Sequence, residues 1–148
     1  MISTKQIYKE DIELCYKLDS NTISLWSKNQ WSNEFEKKGT QVFGILTENL
    51  IVGICVLQVV LDEAQINFFV VNQKYRKRGI GTLLMKYLIK RCRKQNINKL
   101  LLEVSSKNII AKNFYNSFDF YTVGIRRNYY KDGSDALLKK KILRTNNL

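Results

Sequence analysis

The chain has 148 residues, 45% of them hydrophobic, which suits one domain able to bury a core. It carries 25 Lys and Arg against 13 Asp and Glu, a formal net charge of +12, and no histidine. The absence of histidine excludes Ser-His-Asp and Cys-His catalysis and every metal site that needs imidazole. Cys15, Cys55 and Cys92 lie far apart, so we expect buried thiols in a reducing compartment.

Two features bear on where the protein works. The N-terminus lacks a signal-peptide pattern and no apolar run reaches the ~18 residues of a membrane span, so we expect a cytoplasmic protein that does not enter the membrane. The charge excess has two readings. It could form a basic surface for RNA or the ribosome, or it could reflect the Lys, Asn and Ile bias of an AT-rich genome.

Hydrophobic periodicity predicts an α/β fold, an α+β mixed sheet within a single domain over residues 1–148. The alternation of strands and helices in the second half predicts a largely parallel arrangement there. In the predicted strand Ala64–Val71 we expect Ile66, Phe68 and Val70 on one face. The predicted elements are strand Ile2–Tyr8, helices Asp11–Asp19 and Ser27–Lys38, strands Gln41–Leu46, Leu50–Val60 and Ala64–Val71, a helix of roughly four turns after Gly79, strand Lys99–Val104, helix Asn108–Ser117, and strands Phe120–Tyr129 and Ala136–Leu143.

One glycine-containing loop has a pattern that suits an anion. The segment from Arg76 to Thr82 reads Arg-Lys-Arg-Gly-Ile-Gly-Thr and joins a predicted strand to the amphipathic helix. Glycines allow a ligand to approach the backbone closely, and the free N–H groups at a helix start favour negative charge. The loop is neither a Walker loop nor a G-x-G-x-x-G fingerprint. By itself it is equally consistent with an ordinary basic turn.

The surroundings of this loop resemble the Gcn5-related N-acetyltransferase family. The motifs are Ile66–Gly81, Leu102-Glu103-Val104, Asn108, Asn113-Phe114-Tyr115, Phe118 and Phe120. The resemblance implies a central twisted mixed β-sheet flanked by helices. It also implies that the R/Q-x-x-G-x-G/A loop, here Arg76 to Gly81, binds the pyrophosphate of acetyl-coenzyme A.

Three further segments are similar to the bacterial members of that family that acetylate a ribosomal protein. They are Gln58–Ala64, Leu102-Glu103-Val104 and Ile125–Tyr130. Those members modify the N-terminal alanine of small-subunit ribosomal protein 18. The resemblance therefore implies acetyl transfer from acetyl-CoA to a ribosomal-protein N-terminus, without a metal.

The resemblance also implies a role for individual residues. Glu103 would be the general base and Tyr115 the general acid. A free α-amino group, with a pKa of about 7.7–8.0, must lose a proton before it attacks a thioester, and the departing thiolate needs one. The coenzyme would contact Asn108, the backbone of Phe69, Val70 and Val71 along its pantetheine arm, and Lys77, Arg78, Gly79, Ile80, Gly81 and Thr82 around its phosphates.

Other interpretations remain open at this point. Glu103 could be a surface carboxylate paired with a lysine, and Tyr115 a packing residue. The acceptor could be a lysine side chain or a small amine, because the cofactor site would be the same. The region Ser24–Lys38 and the hairpin Asn128–Asp135 are the candidate acceptor pocket. A basic ribosome- or RNA-binding module is the alternative outside enzymes, supported by the charge and by Tyr129-Tyr130 beside Arg126-Arg127.

Three positions depart from the family pattern. Asn72-Gln73 stands where a proline is usual, and Asp119 stands where the helix with Tyr115 usually ends in glycine. Aspartate tolerates the left-handed conformation better than most residues, but at some cost relative to glycine. Lys139-Lys140-Lys141 interrupts the apolar pattern of the last strand, which leaves its register open.

Overall fold

The computed structural model describes residues 1–76 and 78–143. Seven strands and four helices follow one another in the order that the periodicity predicts, with short 3-10 turns at Lys9–Asp11 and Gln73–Tyr75. The elements are β1 (Ile2–Ile7), α1 (Ile12–Ser20), α2 (Lys28–Glu36), β2 (Thr40–Thr47), β3 (Leu50–Val60), β4 (Glu63–Val71), α3 (Ile80–Lys94), β5 (Lys99–Ser105), α4 (Ile109–Ser117), β6 (Tyr121–Arg126) and β7 (Ala136–Ile142).

All seven strands form one mixed sheet in the order β1-β2-β3-β4-β5-β7-β6. Only β4 and β5 pair in parallel, so the expected largely parallel arrangement of the second half is wrong. Helix α3 does cross from β4 to a parallel neighbour. After α4, however, β6 takes the edge of the sheet, and β7 returns antiparallel between β6 and β5.

The helices cover both faces of the sheet and define two apolar clusters. Helices α1 and α2 pack on one face through Cys15, Leu18 and Trp31. Helices α3 and α4 pack on the other face, where Leu84 and Tyr115 belong to the larger cluster. All three cysteines are buried and free, as predicted, and burial raises the pKa of Cys15 and of Cys92 to about 12. Within the described ranges, no helix is long and apolar enough to cross a membrane.

A β-bulge in β4 changes which side chains share a face. Val56 pairs with Phe68 and Leu57 pairs with Ile66, so Asn67 is an extra residue without a counterpart on β3. The bulge places Ile66 in the α3/α4 cluster and leaves Phe68 and Val70 in the α1/α2 cluster. The prediction that Ile66, Phe68 and Val70 share a face is therefore wrong, because simple alternation fails where one residue is added.

Left-handed residues mark the ends of several elements. Glu48 and Asn49 both have positive φ angles, 50° and 68°, which is the geometry of a two-residue hairpin turn between β2 and β3. Asn128 has φ 51° and its N–H donates to the Asp135 carboxylate. This turn ends β6 at Arg126, three residues before the predicted end at Tyr129.

The departure at Asp119 follows the expected geometry. Asp119 has φ 66° and stands just after α4, where glycine is usual. Its N–H donates to the Asn116 carbonyl, and the Phe120 N–H donates to the Tyr115 carbonyl. These two bonds and the contact between the rings of Phe120 and Tyr115 make a Schellman motif. The end of α4 is therefore well defined despite the aspartate.

Lys139 and Lys141 of β7 also have specific partners. Strand β7 is internal to the sheet and in register with β5 from Ser105–Ala136 to Lys99–Ile142. The Lys139 ammonium is buried and donates to Asn116 Oδ1 at 3.0 Å and to Thr122 Oγ1 at 3.1 Å. Burial, with the charge of Lys112, lowers the pKa of Lys139. Lys141 donates to the Phe118 carbonyl at the end of α4. The interruption of the apolar pattern thus reflects contacts with α4, whose negative dipole end favours cations.

A buried carboxylate fixes the connection between α1 and α2. Asp19 is fully buried and accepts from the N–H groups of Leu25 and Trp26 and from Trp31 Nε1, at 2.8–2.9 Å. Asp19→Ala would leave the buried Trp31 Nε1 and the partly buried N–H groups of Leu25 and Trp26 without their acceptor, so we expect a loss of about 3 kcal/mol in the free energy of unfolding. Urea unfolding measures it.

The matched control for this prediction is Asp62→Ala. Asp62 is exposed and bonds only Asn98 through its side chain, so its loss should cost under about 1 kcal/mol. Equal stability losses in the two variants would contradict the structural role of Asp19.

Candidate active site

The sheet opens between β4 and β5. The two strands pair only over Glu63–Lys99, Ala64–Leu100 and Gln65–Leu101, and then separate. Beyond that point β4 still pairs with β3, and β5 still pairs with β7. Each strand therefore presents an edge of unpaired backbone N–H and C=O groups toward a wedge-shaped gap, which is a ready template for an extended ligand. Phe69, Val70 and Val71 lie on β4 along this gap.

Helix α3 begins beside the end of β4 with a set of free N–H groups. Gly79, with φ 76°, is the N-cap, and the first intrahelical bond runs from the Leu83 N–H to the Gly79 carbonyl. Within the described part of the chain, no side chain caps the N–H groups of Ile80, Gly81 and Thr82. These groups and the positive end of the helix dipole would favour an anion at this position.

Arg76 and Arg78, which precede α3, are exposed. Arg78 lies over the Tyr75 ring, with its guanidinium carbon 5.4 Å from the ring centroid. Lys77, also predicted to contact the phosphates, lies outside the described residues. A Cβ added to Gly81 would lie 3.5 Å from Phe114 and 3.8 Å from Val71. A Cβ at this position would make ordinary van der Waals contacts with α4 and with the edge of the gap, so only a larger side chain would disturb the start of α3.

Tyr115 is held in an aromatic cluster beside the gap. Its ring is 5.5 Å from Phe114, 5.6 Å from Phe120 and 6.2 Å from Phe69, centroid to centroid. Only 9% of the residue is exposed. Burial, and to a lesser degree the nearby Cys55, raises the pKa of Tyr115 well above its ordinary value. The phenol therefore keeps its proton at every pH near neutrality.

Glu103 lies on β5 beyond the point where the strands separate. Leu102 and Val104 belong to the α3/α4 cluster, so the alternation of β5 turns Glu103 toward the α1/α2 face. Its side chain is 20% exposed, and its carboxylate oxygen is 3.6 Å from the Arg126 guanidinium. The expected partly desolvated carboxylate at a strand end is therefore present. Glu103 therefore lies on the α1/α2 face of the sheet and Tyr115 on the α3/α4 face, with the gap between them.

The turn between β6 and β7 follows Arg126, the ion-pair partner of Glu103, and carries two tyrosines to which the sequence gave no role at the carboxylate. Burial raises the pKa of Tyr130, and the negative charge of Glu103 raises it further. Arg126 lies over the Tyr129 ring at 5.5 Å, and the two tyrosine rings meet edge to face at 5.1 Å. The sequence did indicate Asn128–Asp135 as part of a candidate acceptor pocket. Periodicity cannot indicate which side chains of this turn interact with Glu103.

The other half of the candidate acceptor pocket lies on the same face of the sheet. Trp26, in the connection between α1 and α2, packs on Phe68 of β4 at 5.1 Å and on Trp31 at 4.9 Å. Phe68 follows the bulge, where β4 has already separated from β5. The segment 24–38 and Glu103 therefore flank one side of the gap, and α3 and α4 flank the other.

Asn108 is used for local structure. It is the N-cap of α4, and its side-chain oxygen accepts from the Ala111 N–H at 3.1 Å. The residue is exposed, and its amide nitrogen has no partner among residues 1–76 and 78–143. The predicted contact with the coenzyme would therefore use this nitrogen as a donor.

Comparison with known proteins gives this geometry its context. A model described as the Acetyltransferase (GNAT) family matches residues 5–120. The chain belongs to this family. The predicted family and fold class are thereby confirmed, and with them an acetyltransferase whose acetyl donor is acetyl-CoA.

Individual similar proteins are also N-acetyltransferases. The [ribosomal protein bS18]-alanine N-acetyltransferase of Escherichia coli (strain K12) is 32% identical over 133 residues, covering 86% of this chain and 88% of that protein. The crystal structure of the ribosomal-protein-S18-alanine N-acetyltransferase from Escherichia coli has a TM-score of 0.91 at 27% identity, with 100% and 99% of the two chains covered. PaiA N-acetyltransferase from Thermoplasma acidophilum, solved in complex with coenzyme A, shares the fold with a TM-score of 0.78 at 18% identity, with 96% and 99% covered.

Proposed function

We propose that this protein transfers the acetyl group of acetyl-CoA to the α-amino group of an N-terminal alanine, with ribosomal protein bS18 as the acceptor. The observation that carries the proposal is the gap between β4 and β5, with a carboxylate on one side and a protonated phenol on the other. The similarity to bS18-alanine N-acetyltransferases over 86% of the chain supports the acceptor.

The coenzyme would lie along the gap and end at α3. The unpaired edge of β4 at Phe69, Val70 and Val71 supplies backbone donors and acceptors for the amides of the pantetheine arm. The free N–H groups of Gly79–Thr82 and the positive charge of Arg78 suit the pyrophosphate. When bound, acetyl-CoA would supply an activated thioester carbonyl within the gap, at the end of the pantetheine arm away from α3.

Glu103 and Tyr115 then have complementary tasks. Glu103 accepts a proton from the acceptor ammonium, so that the neutral amine can attack the thioester carbonyl. A C–N bond forms as the C–S bond breaks, and Tyr115 gives its proton to the departing sulfur. The nitrogen loses its second proton to water, water returns a proton to the Tyr115 phenolate, and Glu103 releases the first proton to solvent. Tyr115 is suited to this task because burial keeps its phenol protonated. Direct transfer needs no covalent enzyme intermediate, which agrees with a chain that has no histidine.

Lysine or small-amine acetylation is the second candidate within the same chemistry. Intact-mass spectrometry with acetyl-CoA separates the two, using one peptide with a free N-terminal alanine and an otherwise identical peptide with a blocked N-terminus and a free lysine. We expect a single added acetyl group on the first peptide only. Equal modification of the blocked peptide on lysine would contradict the N-terminal acceptor, although the cofactor chemistry would stand.

A substitution at Gly81 tests where the phosphates lie. Gly81→Val fills the space between α3, Phe114 and Val71, and it moves the start of the helix relative to the end of β4. We expect the KM for acetyl-CoA to rise at least about tenfold, because anion binding depends on the position of these N–H groups. Steady-state kinetics with varied acetyl-CoA measures it.

Leu83→Val is the matched control for Gly81→Val. It places the same β-branched side chain in the same turn of α3, at a position that is 38% exposed. Its KM for acetyl-CoA should match that of the wild type. An unchanged KM in folded Gly81→Val protein would contradict the phosphate site at the start of α3.

A further inference from the structure

A row of positive side chains runs along the exposed side of α3. Lys86, Lys90 and Lys94 are exposed and lie four residues apart, so they project from the same side of the helix. With Arg93 and with Lys141 of β7 they line an open groove of about 560 Å³, to which Ile89 also contributes. We call this feature the α3 basic groove. Its lining contains no acidic residue.

The positive charge of the groove is not balanced nearby. Lys86, Lys90 and Lys94 form no ion pair with the described residues, whereas seven other basic residues do. The sequence from Ala64 to Leu102 contains ten Lys and Arg and no Asp or Glu. Like charges four residues apart on a helix destabilise it. An anion bound in the groove would remove this repulsion.

The groove is separate from the proposed coenzyme site. A helix rises about 1.5 Å per residue, so Lys90 lies roughly 13 Å and Lys94 roughly 20 Å along α3 from Gly81. The phosphate site uses the first turn of α3, and the groove uses its last two to three turns. Helix α3 also lies on the face of the sheet opposite Glu103. A ligand in the groove would leave the acceptor side of the gap free.

The chemistry of the groove favours a phosphate chain over other anionic partners. From Lys86 to Lys94 the row of cations covers roughly 12 Å, which corresponds to three or four phosphates of one strand at about 3.4 Å each. Membrane-binding helices add an exposed apolar face, and protein interfaces have an apolar or aromatic centre. In this part of α3 the aliphatic side chains of Leu88 and Ile89 are buried, and no exposed aromatic ring is available for base stacking.

We propose that the α3 basic groove binds the phosphodiester backbone of a nucleic acid strand without reading its base sequence. The lysine ammonium groups neutralise the phosphates and release their counterions, and Arg93 adds a planar donor for phosphate oxygens. The inference rests on the distribution of charge in the structure and does not depend on which amine the enzyme acetylates.

Fluorescence anisotropy with labelled 12-nucleotide RNA and DNA of one sequence tests the proposal. For the wild type we expect a Kd in the micromolar range, about 10⁻⁴–10⁻⁶ M. Neutralising three or four phosphates should give log affinity a slope of roughly −2 to −3 against log salt. RNA and DNA should bind within about threefold of each other, because the contacts are to phosphates.

The decisive comparison uses two variants of equal net charge. The groove variant carries Lys86→Gln, Lys90→Gln and Lys94→Gln, which keep the helix propensity and remove three charges. The control variant carries Lys5→Gln, Lys9→Gln and Lys17→Gln, at exposed positions on the first part of the chain. We expect at least tenfold weaker binding and a slope smaller by about 2 in the groove variant, and wild-type behaviour within threefold in the control. The KM for acetyl-CoA should be unchanged in both.

Several results would overturn the proposal. Equal weakening in the two variants would assign the binding to the overall net charge. A raised KM for acetyl-CoA in the groove variant would make the groove part of the coenzyme site. Tighter binding of polyglutamate or of anionic phospholipid vesicles than of the oligonucleotides would indicate another kind of partner. A preference above tenfold for RNA over DNA would mean that the groove reads more than the backbone.

Discussion

Tyr115→Phe should lower turnover by 10²–10⁴-fold, the range expected for the loss of acid catalysis. The substitution removes one hydroxyl and keeps the ring that packs on Phe69, Phe114 and Phe120. The fold and the KM for acetyl-CoA should therefore be nearly unchanged. Release of coenzyme thiol, followed with an N-terminal alanine peptide as acceptor, measures the rate. Because burial keeps the pKa of Tyr115 above its ordinary value, ionisation of the phenol should not reduce wild-type turnover up to about pH 10.

Tyr87→Phe is the matched control for this experiment. Tyr87 lies on α3, and its hydroxyl accepts a hydrogen bond from Arg91 at 2.8 Å, away from the gap. Removing this hydroxyl should leave turnover within about twofold of the wild type. If Tyr115→Phe also retained turnover at that level, Tyr115 would be a packing residue only.

Glu103→Gln should remove most of the activity at neutral pH, with a loss on the order of 10²–10⁴-fold, because the amide cannot accept the proton of the acceptor ammonium. The α-amino group of the acceptor has a pKa of about 7.7–8.0, so above that range it is already neutral in solution. Turnover of the variant should therefore rise toward alkaline pH and recover part of the loss. A pH series with the alanine peptide, at saturating acetyl-CoA, measures this recovery.

Asp11→Asn provides the control for Glu103→Gln. Asp11 is also a partly buried carboxylate beside a basic residue, 35% exposed and 3.8 Å from Lys5, against 20% and 3.6 Å for Glu103 and Arg126. It precedes α1 and lies outside both parts of the candidate acceptor pocket. Turnover of the control should stay near that of the wild type. Near-normal activity of Glu103→Gln at neutral pH would rule out Glu103 as the base.

Periodicity was sufficient to predict the elements because most of them bury one face. Helix α3 places Leu84, Leu88 and Cys92 in the core at helical spacing, and the observed start at Ile80 follows Gly79 as predicted. Two features of the sheet could not be predicted from local sequence patterns. A bulge such as that at Asn67 depends on pairing with β3, and the position of β7 between β5 and β6 depends on how α4 packs. Neither leaves a local signal in the sequence.

The candidate site was likewise predictable only in part. The predicted positions of the phosphate loop, Tyr115 and Glu103 follow from motifs that lie within single elements or at their ends. The interaction of Tyr130 and Arg126 with Glu103 arises from a turn more than 20 residues further along the chain. Only the pairing of β5 with β7 brings that turn to the carboxylate, and pairing between distant segments cannot be derived from local patterns.

With acetyl-CoA bound as proposed, the open gap between β4 and β5 would also link the stability of the protein to the supply of its acetyl donor. A ligand that binds only the folded chain stabilises it, by about 2.7 kcal/mol at a concentration 100 times its Kd. Acetyl-CoA in the gap would complete the backbone hydrogen bonding that the sheet leaves open there. At a low concentration of acetyl-CoA, a larger fraction of the chains would be unfolded and open to proteolysis. A cell short of acetyl-CoA would then lose enzyme molecules as well as their substrate.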